Sequence, residues 1–212
     1  MKKNIPLLKL SELRSNYRNL KSDIRNRLKE FSNIPASEYF YELTYCLLTP
    51  QSSAVNADKV ISLLKANKFK SKEINPEPIL RRKDSYIRFH KNKSRYLAAV
   101  KKQYPLISKQ ITDNISGEEL RLWLVKNVKG LGWKESSHFL RNIGHSNLAI
   151  LDRHILRNLV RLGVLHELPK TLTAKNYLQI EEKFRKFSKR IGIPMDELDL
   201  LFWCMETGQI LK

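Results

Sequence analysis

Apolar residues recur every three or four positions along most of the chain, which is the spacing of one face of an α-helix. The clearest case follows Ser11, and the other face of that segment is basic. Its apolar face comprises Leu13, Tyr17, Leu20, Ile24, Leu28 and Phe31. The pattern predicts an amphipathic N-terminal helix that ends at Asn33-Ile34-Pro35, because proline interrupts a helix.

Candidate capping residues divide the next stretch of sequence. Ser37 is placed to cap the run EYFYELTYCLL, which is hydrophobic enough to lie at the centre of the core. The segment Thr49-Pro50-Gln51-Ser52-Ser53 then predicts a loop, and its last serine can cap a third helix. Two helical segments are expected after it, near residues 76–82 and 92–103.

The C-terminal half continues in the same way. Ser116-Gly117-Glu118-Glu119 matches the capping box, so a helix is expected from there towards Val128, with Gly130 ending it. Three more helices are predicted after Gly144: about 152–162, 177–191 and 194–206. No alternating pattern is long enough for a sheet, and no repeat is present, so the predicted class is all-α.

The charge balance indicates a polyanionic partner. Forty Lys and Arg residues oppose 21 Asp and Glu residues, which gives a formal charge of +19 and a pI near 10.0. So large an imbalance costs self-repulsion, and nucleic acid is the partner that best accounts for it. A basic protein without such a partner is the alternative.

Composition also excludes several classes of protein. No apolar run approaches the ~20 residues that a membrane-spanning helix needs, and the N-terminus does not resemble a signal peptide. The two cysteines, Cys46 and Cys204, lie in apolar helical surroundings and are predicted to be reduced core residues. Two cysteines cannot supply a four-cysteine zinc or iron–sulfur site.

The stretch GLGWKE contains a lysine in an unusual position. A Gly-x-Gly turn at Gly130 and Gly132 precedes a helical run, so Lys134 falls in the first turn of a helix, where the partial positive charge of the backbone disfavours a cation. The two helices around this turn predict a helix-hairpin-helix, in which positive φ at the glycines exposes N–H groups to an anion. A simple tight connection between helices is the alternative.

Asp152 follows the apolar run Ala149-Ile150-Leu151 and stands at the start of a predicted helix. On its own it is most simply a helix N-cap. Paired with Lys134, it has a chemical interpretation: an amine can attack a sugar carbon to form an imine while a carboxylate stabilises the positive charge that develops on the sugar.

These residues resemble the motif of the helix-hairpin-helix DNA glycosylase superfamily. That motif runs Gly-x-Gly-x-Lys, then about 18 residues to an aspartate that often precedes x-His, and here it comprises Gly130, Gly132, Lys134, Asp152 and His154. Residues 42–59, ELTYCLLTPQSSAVNADK, resemble the stretch of endonuclease III whose glutamine enters the space left by an extruded base, which assigns that role to Gln51.

The chain is still more similar to the short 8-oxoguanine DNA glycosylase/lyases of archaea and some bacteria. The segments that carry the similarity are GLGWKESSHFLRNIG, AILDRHILRNL and IPMDELDLLFWCMETGQILK, with its terminal lysine. The resemblance implies a six-helix barrel domain over about 35–145 and a second helical domain from 1–34 and 146–212, with Lys134 and Asp152 facing each other across the cleft. Where this family usually has Thr-Ala-Asn, the chain has Thr49-Pro50-Gln51, which is closer to endonuclease III.

The resemblance implies a repair enzyme that removes 8-oxoguanine from damaged double-stranded DNA and cuts 3′ to the abasic site by β-elimination. Lys134 would be the nucleophile and Asp152 the stabilising carboxylate. The other implied roles are base recognition by Phe89, Trp203 and Lys212, and DNA contacts by Gln51, Gly130, Gly132 and His154. For Phe89 and Trp203 the alternative is ordinary core packing. For Lys212 the alternative is a frayed chain end, and for His154 it is a structural role.

The family resemblance also sets expectations for cofactors and partners. No cofactor and no iron–sulfur cluster is expected, although the hairpin can hold a monovalent cation. The protein is expected to be a cytoplasmic, nucleoid-associated monomer without a membrane partner. Two other functions stay open: an endonuclease III-like glycosylase for oxidised pyrimidines, and a non-catalytic module that grips DNA through the hairpin.

Overall fold

The computed structural model describes residues 6–113 and 115–210, and every regular element within them is helical. The predicted all-α class is therefore confirmed. The ten α-helices in these residues are α1 (Leu10–Ser32), α2 (Tyr39–Leu48), α3 (Ala54–Ala66), α4 (Glu77–Leu80), α5 (His90–Thr112), α6 (Gly117–Asn127), α7 (Trp133–Asn142), α8 (Arg153–Arg161), α9 (Ala174–Ile191) and α10 (Met195–Thr207). Short 3₁₀ helices cover Ala36–Glu38 and Lys83–Ser85.

Two of the predicted helix starts are confirmed by their cap geometry. The hydroxyl of Ser53 accepts the N–H of Asn56 at 3.4 Å at the start of α3. At the start of α6, Ser116 and Glu119 exchange side-chain and backbone hydrogen bonds of 2.9 and 3.2 Å, which is the complete capping box. Local sequence determines these caps, because donor and acceptor are three residues apart.

Two other expectations need correction. Ser37 does not cap α2, because it lies inside the 3₁₀ turn that precedes this helix. Helix α5 does not end near residue 103 but continues to Thr112 with Pro105 inside it. Proline removes one backbone hydrogen bond, yet burial of Val100 and Ile107 on either side holds the helix against the core.

The chain divides into two compact units. Residues 34–143 form the unit called here the hairpin unit, and the described parts of 1–33 and 144–212 form the terminal unit. The ranges expected from the sequence, 35–145 and 1–34 with 146–212, differ from these by one or two residues.

Helix α2 is the centre of the hairpin unit, where it packs against α3, α5 and α7. Most of its side chains are buried, as its composition predicted. Cys46 lies in this helix, and burial holds the pKa of its thiol well above the ordinary value of 9.0. Cys204, in the terminal unit, is only half-buried, and both cysteines are free thiols.

The terminal unit is built around α10, which contacts α1, α8 and α9. Helix α1 buries Leu13, Tyr17, Ile24 and Phe31 along one side, as its apolar spacing predicted. A polar link supplements this packing: Glu197 of α10 accepts hydrogen bonds from the Tyr17 hydroxyl and from Arg25 Nε, the latter at 3.1 Å.

Candidate active site

The hairpin between α6 and α7 depends on a glycine at position 130. Gly130 has φ of 98°, and a Cβ there would lie 2.6 Å from Cδ2 of Tyr96 and 3.0 Å from Cδ2 of Leu47. Any other residue would be strained and would also clash with both side chains. Gly132 differs from the prediction, because its φ is −93° and its backbone is extended. It is the N-cap of α7.

A buried arginine joins the two helices of the hairpin. Arg121 of α6 is 2% exposed, and its Nη1 donates to the Ser137 hydroxyl of α7 at 3.1 Å. Its guanidinium also lies over the Trp133 ring, 5.1 Å from the centroid. A buried arginine with such contacts fixes the start of α7, and with it the backbone that carries Lys134. No periodicity or motif in the sequence marks this residue.

Lys134 occupies the first turn of α7, as predicted, and its side chain is 27% exposed. Its Nζ lies 3.1 Å from Oε1 of Glu135. The other oxygen of that carboxylate accepts the Gly132 N–H at 3.3 Å, so Glu135 both caps the helix and pairs with the lysine. Glu135 was missed as a functional residue, although a glutamate three positions after an N-cap is a capping signal.

Asp152 is the N-cap of α8 in the terminal unit. Its Oδ1 accepts the N–H groups of His154 at 2.7 Å and Ile155 at 2.9 Å. Within the described residues of this unit, Oδ2 accepts no hydrogen bond. Both helix amides are therefore satisfied by one oxygen, and the capping role leaves the second oxygen and the negative charge for another task.

Gln51 is exposed, in the loop between α2 and α3, with φ of 55°. A buried lysine holds this loop. Lys93 is 5% exposed, and its Nζ donates to the carbonyl oxygens of Leu48 and Pro50 at 2.6 Å each and to the Ser52 hydroxyl at 3.0 Å. Burial, together with the positive charge of Lys134, lowers the pKa of Lys93 to about 8.

Phe89 is an exposed aromatic residue and not part of the core. It is 49% exposed, has φ of 59°, and stands at the N-cap position of α5. The guanidinium of Arg88 lies 5.0 Å from the centre of its ring. An aromatic residue in the left-handed region is uncommon and favours a role that needs the ring at the surface.

Trp203 of α10 is half-buried against His154 of α8, with ring centroids 4.9 Å apart and the rings at 79°. Its indole N–H is buried and has no hydrogen-bond acceptor within the described chain. The His154 side chain is 12% exposed, and its Nδ1 lies 3.7 Å from Glu206, which also accepts from Arg157 at 2.9 Å. The structure thus brings the side chains of Trp203 and His154 into contact where α10 packs against α8.

Lys212, the third residue predicted to recognise the base, lies outside the described residues.

Within residues 6–113 and 115–210, no helix is both long and apolar enough to cross a bilayer. In the same part of the chain, no group of three or more His, Cys, Asp or Glu side chains is arranged to hold a metal ion.

Comparison with known proteins identifies the family. The family model for 8-oxoguanine DNA glycosylase matches residues 24–193. The 8-oxoguanine DNA glycosylase/AP lyase of Fusobacterium nucleatum is 45% identical, with 95% of this chain and 97% of that protein covered. The corresponding protein of Korarchaeum cryptofilum is 40% identical, with 89% and 90% covered.

The solved structures agree with the sequence comparisons. The crystal structure of the Methanocaldococcus jannaschii 8-oxoguanine glycosylase/lyase in complex with a 15mer DNA containing 8-oxoguanine matches with a TM-score of 0.82 and 32% identity. That match covers 93% of this chain and 98% of the other. The chain therefore belongs to the 8-oxoguanine DNA glycosylase family of helix-hairpin-helix proteins.

Proposed function

We propose that this protein removes 8-oxoguanine from damaged double-stranded DNA and then cuts the strand 3′ to the abasic site. The observation that carries the proposal is Lys134, a lysine in the first turn of α7, directly after a hairpin whose Gly130 tolerates no side chain. The relatives with 45% and 40% identity are both named 8-oxoguanine DNA glycosylase/AP lyase, which supports base removal as well as strand cleavage. The formal charge of +19 suits a DNA substrate.

The first steps bring the lesion out of the duplex. Rotating a damaged purine out of the stack costs a few kcal/mol, roughly, in lost stacking and pairing. Gln51 fills the gap, and its exposed position on the loop held by Lys93 supports this assignment. The backbone N–H groups in the first turn of α7, directly after Gly132, bind a DNA phosphate, because a helix N-terminus attracts anions.

The chemical steps follow from an amine and a carboxylate. The neutral amine of Lys134 forms a bond to C1′ as the bond from C1′ to the base breaks, and the base leaves with that electron pair and gains a proton. The C1′–O4′ bond then breaks as the Lys134 nitrogen forms its double bond to C1′, and a proton lost by that nitrogen goes to O4′, which opens the sugar ring to the imine. A proton then leaves C2′ and the C3′–oxygen bond breaks, so the downstream strand leaves with the electron pair and with a phosphate at its 5′ end; water finally hydrolyses the imine.

Asp152 stabilises the positive charge that develops on the sugar in this sequence. Its capping bonds use Oδ1 and keep the carboxylate at a fixed position at the start of α8. A fixed charge is more effective than a mobile one, because it needs no reorganisation during the reaction. In the free protein the Lys134 amine is paired with Glu135, whose Oε1 lies 3.1 Å from Nζ, so this pair must separate before the amine attacks C1′.

Base recognition is assigned to Phe89, Trp203 and Lys212. The exposed ring of Phe89 and the half-buried ring of Trp203 offer surfaces on which a purine stacks. The indole N–H of Trp203, which has no acceptor in the described chain, can donate to a polar edge of the base. The role of Lys212 stays a prediction from the resemblance, as do the DNA contact of His154 and a monovalent cation at the hairpin.

The remaining properties are proposed on chemical grounds. Imine formation and β-elimination need only the amine and the carboxylate, so we expect activity without a cofactor, and it should survive incubation with a chelator. A monomer suffices, because Lys134 and Asp152 come from one chain. A DNA substrate implies a place at the nucleoid in the cytoplasm, without a membrane partner.

Three duplexes test the proposed function: one with 8-oxoguanine, one with thymine glycol and one with a preformed abasic site. The proposal predicts release of 8-oxoguanine and cleavage of the abasic strand. Thr49-Pro50-Gln51 resembles endonuclease III, so the second candidate is an enzyme for oxidised pyrimidines. Faster excision of thymine glycol than of 8-oxoguanine would establish that candidate, and cleavage of none of the three duplexes would reject both.

A further inference from the structure

Two exposed residues of the hairpin unit have strained backbones and lie in different segments. Gln51 has φ of 55° and Phe89 has φ of 59°. The described residues contain just four non-glycine residues with positive φ: Gln51, Lys68, Phe89 and Asn147. The left-handed conformation is unfavourable for a bulky aromatic residue, so it persists only where the surroundings enforce it.

Lys93 enforces the conformation of the Gln51 loop. Its ammonium group has three N–H donors, and the structure gives it three acceptors: the carbonyls of Leu48 and Pro50 and the hydroxyl of Ser52. These acceptors flank Gln51 on both sides. A buried amine with all its donors used fixes the loop more firmly than one hydrogen bond would.

The same network reaches Phe89. The Ser52 hydroxyl, which receives a hydrogen bond from Lys93, also accepts the backbone N–H of Arg88 at 3.0 Å. The backbone N–H of Lys93 donates to the Phe89 carbonyl at 3.0 Å. The hydroxyl oxygen of Ser52, the residue after Gln51, therefore links the Gln51 loop to the backbone of Arg88, the residue before Phe89.

We propose that Lys93 and Ser52 are positioning residues that couple the loop of Gln51 to the segment of Phe89, so that gap filling and capture of the extruded base occur as one event. The inference rests on the proposed function, because it takes the DNA roles of Gln51 and Phe89 from there. Its physical basis is entropic: two elements that are fixed relative to each other lose less freedom on binding DNA than two independent ones.

A double-mutant cycle measures this coupling. The rate of 8-oxoguanine release from a duplex is measured under single-turnover conditions for Gln51→Ala, Phe89→Ala and the double variant. If the two residues act together, the fold-loss of rate in the double variant should be about tenfold smaller than the product of the fold-losses in the two single variants. Repeating the cycle in a Ser52→Ala background should make the losses multiply, because the shared acceptor is gone.

Matched variants separate positioning from folding. Ser62→Ala removes a hydroxyl that, within the described residues, bonds only the Asp58 carbonyl of its own helix, at 3.1 Å, so the coupling should stay intact. Ser52→Thr restores a hydroxyl and should restore the coupling. Thermal unfolding of each variant reports on stability: a lower Tm for Ser52→Ala with unchanged coupling would show a merely structural role and overturn the proposal.

The wild-type protein separates failure of this inference from failure of the proposed function. If it does not release 8-oxoguanine, the proposed function is wrong and the inference falls with it. If it releases the base but the losses of Gln51→Ala and Phe89→Ala already multiply in the wild-type background, the inference alone is wrong.

Discussion

The Nζ atom of Lys134 lies 3.1 Å from Oε1 of Glu135, its neighbour in the first turn of α7. The other carboxylate oxygen of Glu135 accepts the N–H of Gly132. A cation at a helix N-terminus is unfavourable, and this carboxylate offsets the cost. The free protein therefore pairs its proposed nucleophile with a carboxylate, and this pair must separate before the amine can attack.

Replacing Glu135 with glutamine should make Lys134 more reactive. Glutamine can still accept the Gly132 N–H, but it no longer holds the Lys134 amine in an ion pair. A partly exposed ion pair contributes about 0.5–1 kcal/mol, so the rate of borohydride-trapped adduct formation at an abasic site near pH 7 should rise roughly twofold to fivefold. A slower rate would mean that Glu135 assists the reaction, contrary to this account.

Replacing Asp152 with asparagine separates its two roles. Asparagine caps a helix about as well as aspartate, so the unfolding free energy should be nearly unchanged, whereas loss of the charge should slow base excision by roughly 100-fold or more. Thr173→Ala is the matched control, because Thr173 caps α9 by accepting the Asn176 N–H at 3.3 Å. It should cost about 1 kcal/mol of stability and leave excision unchanged. An Asp152→Asn protein with full activity would leave Asp152 as a cap only.

Lys93 should give the stability a recognisable pH dependence. Its folded-state pKa is about 8, below its ordinary value of 10.5. Between these values the unfolded chain keeps a proton that the folded chain has released, so the unfolding free energy of the wild type should rise with pH relative to Lys93→Met. The gain should be on the order of 1 kcal/mol per pH unit above pH 8, measured by urea denaturation. A difference that is constant or falls with pH would contradict the lowered pKa.

Sequence reasoning succeeded where the determinants are local. The caps at Ser53 and Ser116, the turn at Gly130 and the first-turn position of Lys134 each depend on residues within three or four positions. The apolar spacing of α1 predicted its buried side. At the two caps, the hydrogen bonds that decide the helix start close within one helical turn.

The rest of the site depends on contacts between residues far apart in sequence. Lys93 bonds a loop more than 40 positions earlier, and no motif distinguishes it from the other basic residues of the chain. The left-handed conformation of Phe89 also has no signal in its local sequence. Helix α5 likewise continues past Pro105 because of packing that periodicity alone does not reveal.

Lys212 offers a prediction from the family resemblance. Helix α10 ends at Thr207, with Gly208 left-handed at φ of 76°, as expected for a helix C-terminus. If Lys212 contacts the base, deleting it should slow excision of 8-oxoguanine, because a buried polar edge of the base loses its partner, at about 1–3 kcal/mol. Cleavage of a preformed abasic site needs no base contact and should be nearly unchanged. Equal losses on both substrates, or none on either, would remove Lys212 from base recognition.

The most direct test of the account is covalent trapping at Lys134. The protein is incubated with an 8-oxoguanine duplex and borohydride, and the adduct is digested and located by mass spectrometry. We predict that the reduced sugar is attached to Lys134 and that Lys134→Gln forms no adduct and cuts no strand, while it still binds the duplex. An adduct of the wild-type protein on any other residue, or an adduct and strand cleavage that persist in Lys134→Gln, would contradict it.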